Sequence, residues 1–215
     1  MSQPKENLTQ RLSLGLSALQ LDVSPSHIER LIDFIKLIAK WNKTYNLTAV
    51  RQLDAMINLH LLDSLAIMPH LHGQAILDVG TGAGLPGIPL AICCPERQFC
   101  LLDSNAKKTR FVQQAVLELK LNNVTVIQQR VEQYHSAPGF DTIVTRAFAE
   151  LSEIIKLTQH LLAPKGIMLA MKSQHLDQEN LDTLAQATVI PLTIPGLDAE
   201  RNVVRLQFSN VAEVS

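Results

Sequence analysis

The chain reads as an α/β protein: a mostly parallel, seven-stranded sheet with helices on both faces, preceded by a small helical extension. Three observations point there. Short apolar runs alternate with helix-period stretches from Ile76 onward. A glycine-rich turn, Gly80-Thr81-Gly82-Ala83-Gly84-Leu85-Pro86-Gly87, follows the first of those runs. The residues before Ile76 carry helical periodicity instead. Alternation of this kind buries a parallel sheet between two helical layers, and ligands then bind beyond the strands' carboxyl ends.

Each element has a local reason. A first helix is expected over Leu8 to Leu19. Ser24-Pro25 starts the second, with serine as the cap and proline at the first helical position; Ile28, Leu31, Ile32, Ile35 and Ile38 form its apolar stripe up to Trp41. A third helix is expected around Asp54 to Met68. Strands follow at 75–79, 98–103, 124–128, 141–145, 166–171, 188–192 and 202–208. Ile88-Pro89-Leu90-Ala91-Ile92 can open a helix after the first strand. Phe111, Val112, Ala115, Val116 and Leu119 carry a helix after the second strand, and Leu151, Ile154, Ile155, Thr158, Leu161 and Leu162 carry one after the fourth. We divide the chain into a helical extension, 1–72, and an α/β domain, 73–210.

Composition narrows the classes. A chain of 215 residues with 47% hydrophobic content supports one packed domain with a small extension, not a disordered protein. No apolar run reaches membrane-spanning length, and the amino-terminal residues are polar with no signal-peptide core. Cys93, Cys94 and Cys100 are odd in number and lack metal-ligand spacing, so reduced thiols in a cytoplasmic protein are expected. His70 and His72 could share a strand face, but no acid or cysteine cluster accompanies them, and no metal site is expected.

The glycine turn carries the chemistry. Ile76-Leu77-Asp78-Val79 is a strand ending in an acid, and the glycines after it allow torsions closed to other residues and bring main-chain N–H groups close to a ligand. Two ligands compete. Gly82, Gly84 and Gly87 spell G-x-G-x-x-G, with Asp103 as the downstream ribose acid, which fits a dinucleotide. Asp78 favours the other reading: a carboxylate at the strand end repels a pyrophosphate and attracts the ammonium and sulfonium of S-adenosylmethionine. Asp103 ends the second strand, where it can accept ribose hydroxyls, cap the helix starting near Asn105, or do both.

Two methylation chemistries are disfavoured. Amino-group methylases need a polar-Pro-Pro-aromatic loop after strand four, where this chain has Thr145-Arg146-Ala147-Phe148; a C5-pyrimidine methylase needs a nucleophilic cysteine there, and none lies beyond Cys100. A ring nitrogen such as guanine N7 attacks the sulfonium methyl with its own lone pair, so no general base is required and positioning does most of the work.

Several blocks together resemble the RsmG family, also called GidB or glucose-inhibited division protein B. They are Trp41-Asn42-Lys43-Thr44-Tyr45-Asn46-Leu47-Thr48, His60-Leu61-Leu62-Asp63-Ser64, the glycine loop, Leu102-Asp103-Ser104, Lys107-Lys108 with Arg110-Phe111, Arg130-Val131-Glu132, Thr145-Arg146-Ala147-Phe148-Ala149 and Arg201-Asn202-Val203-Val204. The resemblance covers nearly the whole chain. It implies a class I Rossmann-like methyltransferase that uses S-adenosylmethionine to methylate guanine N7 in bacterial 16S ribosomal RNA. It further implies that Gly80, Leu85, Val131, Glu132 and Arg146 contact the cofactor, while Asp78, Gly82, Gly84 and Asp103 fit the general site of that fold. Arg146 and Lys172 are candidate acceptor contacts, and no residue is expected to abstract a proton. One departure is visible: Met171-Lys172-Ser173 stands where the family commonly has Leu-Lys-Gly.

Charge tempers the RNA reading. A formal net charge of −1 disfavours tight non-specific binding. Yet Lys36, Lys40, Lys43 and Arg51 form one basic group and Lys107, Lys108 and Arg110 another; flanking one pocket, they would make a phosphate-binding rim. The 16S rRNA that the resemblance implies as partner is therefore expected in folded or protein-bound form, inside the small ribosomal subunit or an assembly intermediate, met by a monomer. A methylase of small molecules or proteins, a non-catalytic RNA or assembly factor, and a dinucleotide oxidoreductase are the alternatives.

Overall fold

The computed structural model describes residues 3–146, 150–172 and 186–208, with side chains from residue 8 onward. Ala147, Phe148, Ala149 and Ser173, all named above, lie outside the described residues.

Seven strands make one sheet in the order β3-β2-β1-β4-β5-β7-β6. They are β1 (Ala75–Val79), β2 (Gln98–Asp103), β3 (Val124–Gln128), β4 (Phe140–Arg146), β5 (Leu162–Lys172), β6 (Gln186–Leu192) and β7 (Arg201–Gln207). β1 to β5 run parallel, and β7 lies antiparallel between β5 and β6. The order reverses between β1 and β4, so the switch point lies at the carboxyl end of β1, where Asp78 sits. The β5 boundary differs from the expected 166–171. Leu162 already pairs with Phe140, and the register shifts before Ile167 pairs with Thr142. Pro164 cannot donate to a ladder and Lys165 has φ 66°, so the chain loops out within the strand there.

The helices are α1 (Gln3–Ala18), α2 (Pro25–Tyr45), α3 (Leu53–Met56), α4 (Asp63–Leu65), α5 (Gly87–Cys93), α6 (Ala106–Glu118) and α7 (Leu151–Thr158). Ser24 caps α2 by accepting from the His27 N–H, and Asn46 ends it in the left-handed region. The helix expected over 54–68 is not one regular α-helix: between α3 and α4 the chain forms a π-helical stretch, Ile57–Leu62, which carries His60. His70 closes a short 3-10 turn and His72 lies in the loop before β1, so the two do not share a strand face.

Most of the buried apolar residues form two clusters, one on each side of the sheet. The larger unites Leu12, Leu31 and Ile35 of the extension with Ile88 and Leu90 of α5, Leu101 of β2 and Phe111 of α6. The smaller lies under α7 and contains Leu77, Ile143, Ile154 and Met168. The helical extension thus supplies part of one wall of the sheet's core. Two polar pins fix the entry to β1. Asp141 accepts the N–H groups of Gln74 and Ala75, and Thr142 exchanges hydrogen bonds with the backbone of His72.

Candidate functional site

A cavity of about 490 Å³ opens at the carboxyl ends of β1, β2 and β4, within the ~300–1,000 Å³ usual for small-molecule sites. Its floor is the glycine loop. Gly80, Gly82 and Gly84 all have positive φ, 69°, 59° and 78°. At Gly82 this is a requirement with a consequence: a Cβ there would meet nothing closer than 3.8 Å, so the position is open toward the ligand but strained for any other residue. Gly87 is needed for the opposite reason. A Cβ there would lie 2.2 Å from Leu101 Cδ2 and 2.7 Å from a carboxylate oxygen of Asp78, so α5 packs against the sheet only with glycine at its start.

Two acids organise this loop. Asp78 is fully buried, and one of its oxygens accepts from the Thr81 hydroxyl at 2.6 Å and from the Gly87 N–H at 2.9 Å. Its other oxygen has no partner among the described residues. Burial raises its pKa to about 6, partly opposed by those two hydrogen bonds. Asp103 is at the cavity wall, 8% exposed. One oxygen accepts the Gly82 N–H at 2.9 Å and the other the Asn105 N–H at 2.8 Å. Each carboxylate oxygen accepts two hydrogen bonds, so capacity remains for ribose hydroxyls. The helix cap is Asn105, whose side chain accepts from the N–H groups of Lys107 and Lys108; the capping role considered for Asp103 belongs to its neighbour but one.

Of the residues expected at the cofactor, Gly80, Gly82, Leu85, Asp103, Val131, Glu132 and Arg146 line the cavity. Asp78 and Gly84 do not; Asp78 sits behind the loop and shapes it, and any attraction it exerts on a cationic ligand acts across the loop rather than by contact. Lys172 ends β5, opposite Asn202, and does not line the cavity. Lys108 and Arg130 do line it, as do Leu47 and Thr48 from the extension. Leu47 and Thr48 have no recognisable ligand chemistry in the sequence, because the fold alone brings them there.

Their placement depends on a buried polar network. Asn42 donates to the carbonyls of Thr48 and Val50 and accepts from the Thr48 N–H. The Thr48 hydroxyl lies 3.1 Å from Nε2 of His60. Burial lowers the His60 pKa to about 4. One turn further, Asp63 stands between two arginines: Arg146 donates to one of its oxygens at 3.4 Å and to the Leu59 carbonyl, and Arg201 donates to the other at 3.1 Å. The sequence holds Asp63, Arg146 and Arg201 far apart, and no spacing rule joins them.

The three cysteines are free, and burial pushes the Cys93 and Cys94 thiols up to about 12 and about 11. Among the described residues no group of three or more His, Cys, Asp or Glu is arranged to hold a metal ion. No helix among them is long and apolar enough to cross a membrane.

Strand order, a glycine loop at the switch point and acids ending the first two strands define the Rossmann-like fold of class I methyltransferases. Solved structures agree on the fold. A putative O-methyltransferase from Klebsiella pneumoniae aligns with TM-score 0.60 at 14% identity, covering 95% of this chain and 99% of that one. Magnesium protoporphyrin IX methyltransferase from Synechocystis PCC 6803, solved with bound SAM, aligns with TM-score 0.59 at 15% identity over 82% and 97%. In sequence, the ribosomal RNA small subunit methyltransferase G of Chromobacterium violaceum is 50% identical over 202 residues, 92% of this chain and 97% of that protein. The family model for GidB, rRNA small subunit methyltransferase G, matches residues 27–204. The chain belongs to that family.

Proposed function

We propose that this protein uses S-adenosylmethionine to methylate N7 of a guanine in bacterial 16S ribosomal RNA. One observation carries the reading: in a chain of the small-subunit rRNA methyltransferase G family, the glycine loop and Asp103 enclose a nucleoside-sized cavity. Asp103 would hold the ribose with the acceptor capacity left by Gly82 and Asn105. Gly80 and Gly82 let the backbone approach the ligand, Leu85 and Val131 supply apolar wall, and Glu132 stands at the rim. Asp78 would add negative potential behind the loop, suited to a cation and not to a pyrophosphate.

When bound, S-adenosylmethionine supplies an electrophilic methyl; the guanine N7 lone pair forms the new N–C bond, the C–S pair stays on sulfur, and the purine becomes cationic. No proton leaves N7 in this step, so it needs no general base, and positioning does most of the work. Arg146, held by Asp63 and Leu59, would contact cofactor or guanine, with Lys172 at the same edge of the sheet as a second candidate acceptor contact. We further infer that the RNA is met in the small subunit or an assembly intermediate, by a cytoplasmic monomer. Residues 1–72 would then complete the pocket that 73–210 builds.

The test is transfer of tritiated methyl from the donor to unmethylated small-subunit RNA, naked and as 30S particles, followed by nucleoside separation. Label in 7-methylguanosine is expected, with the particles favoured. Label in another nucleoside would overturn the N7 assignment, and no transfer to either substrate would overturn the enzyme reading.

A further inference from the structure

Four aromatic rings form a ladder from the core to the surface beside the cavity. Phe34 and Phe111 stack at 6.5 Å, Phe111 meets Trp41 edge-on at 5.7 Å, and Trp41 stacks on Tyr45 at 5.2 Å with 28° between planes. Phe34 and Phe111 are fully buried, Trp41 is half-buried, and Tyr45 is 41% exposed. Among the described residues Tyr45 has no ring neighbour except Trp41.

Two helix directions place the outer end of this ladder. α2 ends at Tyr45, and Leu47 and Thr48 just beyond it line the cavity. α6 begins at Ala106, directly after the cavity-lining Ser104 and Asn105. Trp41 of α2 packs on Phe111 of α6. Tyr45 is therefore one turn nearer the cavity than Trp41, as Lys107 is one turn nearer than Phe111. Lys43, Lys107 and Arg110 are exposed on these helix ends, and Lys108 lies on the cavity wall.

We propose that Tyr45 is a stacking platform for an unpaired RNA base adjoining the nucleotide that enters the cavity, with Lys107 and Arg110 of α6 taking the flanking phosphates. The proposal rests on the rRNA reading above. Guanine N7 in an RNA helix lies in a deep, narrow major groove that side chains cannot reach, so the target must be splayed out and its neighbour loses a stacking partner. An exposed ring rimmed by cations restores that stacking to any base, because every base has a π-face. A rigid, ring-backed tyrosine also costs little ordering on binding.

Trp41 is the single tryptophan of the chain, which makes the ladder its own reporter. Hexa-adenylate titrated into the intact protein should change Trp41 emission saturably. Tyr45→Leu should weaken that binding and raise the KM for small-subunit RNA by about ten-fold or more. Its kcat, its affinity for S-adenosylhomocysteine and its melting temperature should stay near wild type, and Tyr45→Phe should retain wild-type binding. A folded Tyr45→Leu protein with wild-type KM and wild-type hexa-adenylate binding would overturn the platform. If the wild-type protein methylates no RNA, the rRNA reading fails instead, and the hexa-adenylate titration still decides the platform without turnover.

Discussion

At the scale of single residues, the site is built on three carboxylates: Asp78 and Asp103 hold backbone N–H groups of the loop, and Asp63 holds two arginines. Asp103 illustrates how far sequence reading reaches. Its position at the end of an apolar run marked it, and the structure puts it on the cavity wall; which residue caps α6 needed the actual loop, since Asp103, Ser104 and Asn105 are all acceptable caps. Asp63 illustrates the opposite. It belongs to one of the blocks that carry the family resemblance, and nothing local gives it a role, yet it holds Arg146 and Arg201, and its side chain is 7% exposed. Removing its charge strands two partly buried guanidiniums. We expect Asp63→Asn to lower stability by about 3 kcal/mol, the low end for breaking a buried pair, and to weaken S-adenosylhomocysteine binding several-fold. Calorimetric titration checks this. If Asp63 acts through Arg146, the binding loss vanishes in an Arg146→Ala background; equal losses in both backgrounds would contradict that.

At the scale of elements, strands were the most legible part and the segment Leu53–Leu65 the least. Strand runs were marked by β-branched and apolar residues bounded by turns, whereas nothing in Ile57-Asn58-Leu59-His60-Leu61-Leu62 distinguishes a π-helical stretch from an α-helix. That stretch nonetheless presents His60 to Thr48 at the cavity. His60 has a folded pKa of about 4 against 6.5 unfolded, so between those values the unfolded chain binds more protons and stability rises with pH. Asp78 has the opposite sign. Its folded value of about 6 exceeds its ordinary 3.8, so across nearly the same window the folded chain binds more protons and stability falls with pH. The two slopes oppose each other in the wild-type protein. His60→Gln should remove one of them, so its stability relative to wild type should rise as pH falls from 6.5 toward 4. Denaturant melts at stepped pH measure that difference; a constant difference would contradict the buried, neutral histidine.

At the scale of the whole molecule, the helical extension and the α/β unit are separable in sequence pattern and joined in the core. The change from helical periodicity to strand–helix alternation near residue 73 was plain. That Leu12, Leu31 and Ile35 bury against the same cluster as Phe111 and Leu101 was not, because an amphipathic stripe says that a face is covered but not by what. The consequence is functional: the extension contributes Leu47 and Thr48 to a cavity whose loop and acids come from the α/β unit. The most direct test of this site is a crystal structure of the protein with S-adenosylhomocysteine. We expect the ligand between the glycine loop and Val131, its ribose hydroxyls within hydrogen-bond distance of Asp103 and its amino-acid end near Gly80. A ligand bound elsewhere, or one whose ribose leaves Asp103 engaged only by Gly82 and Asn105, would contradict it.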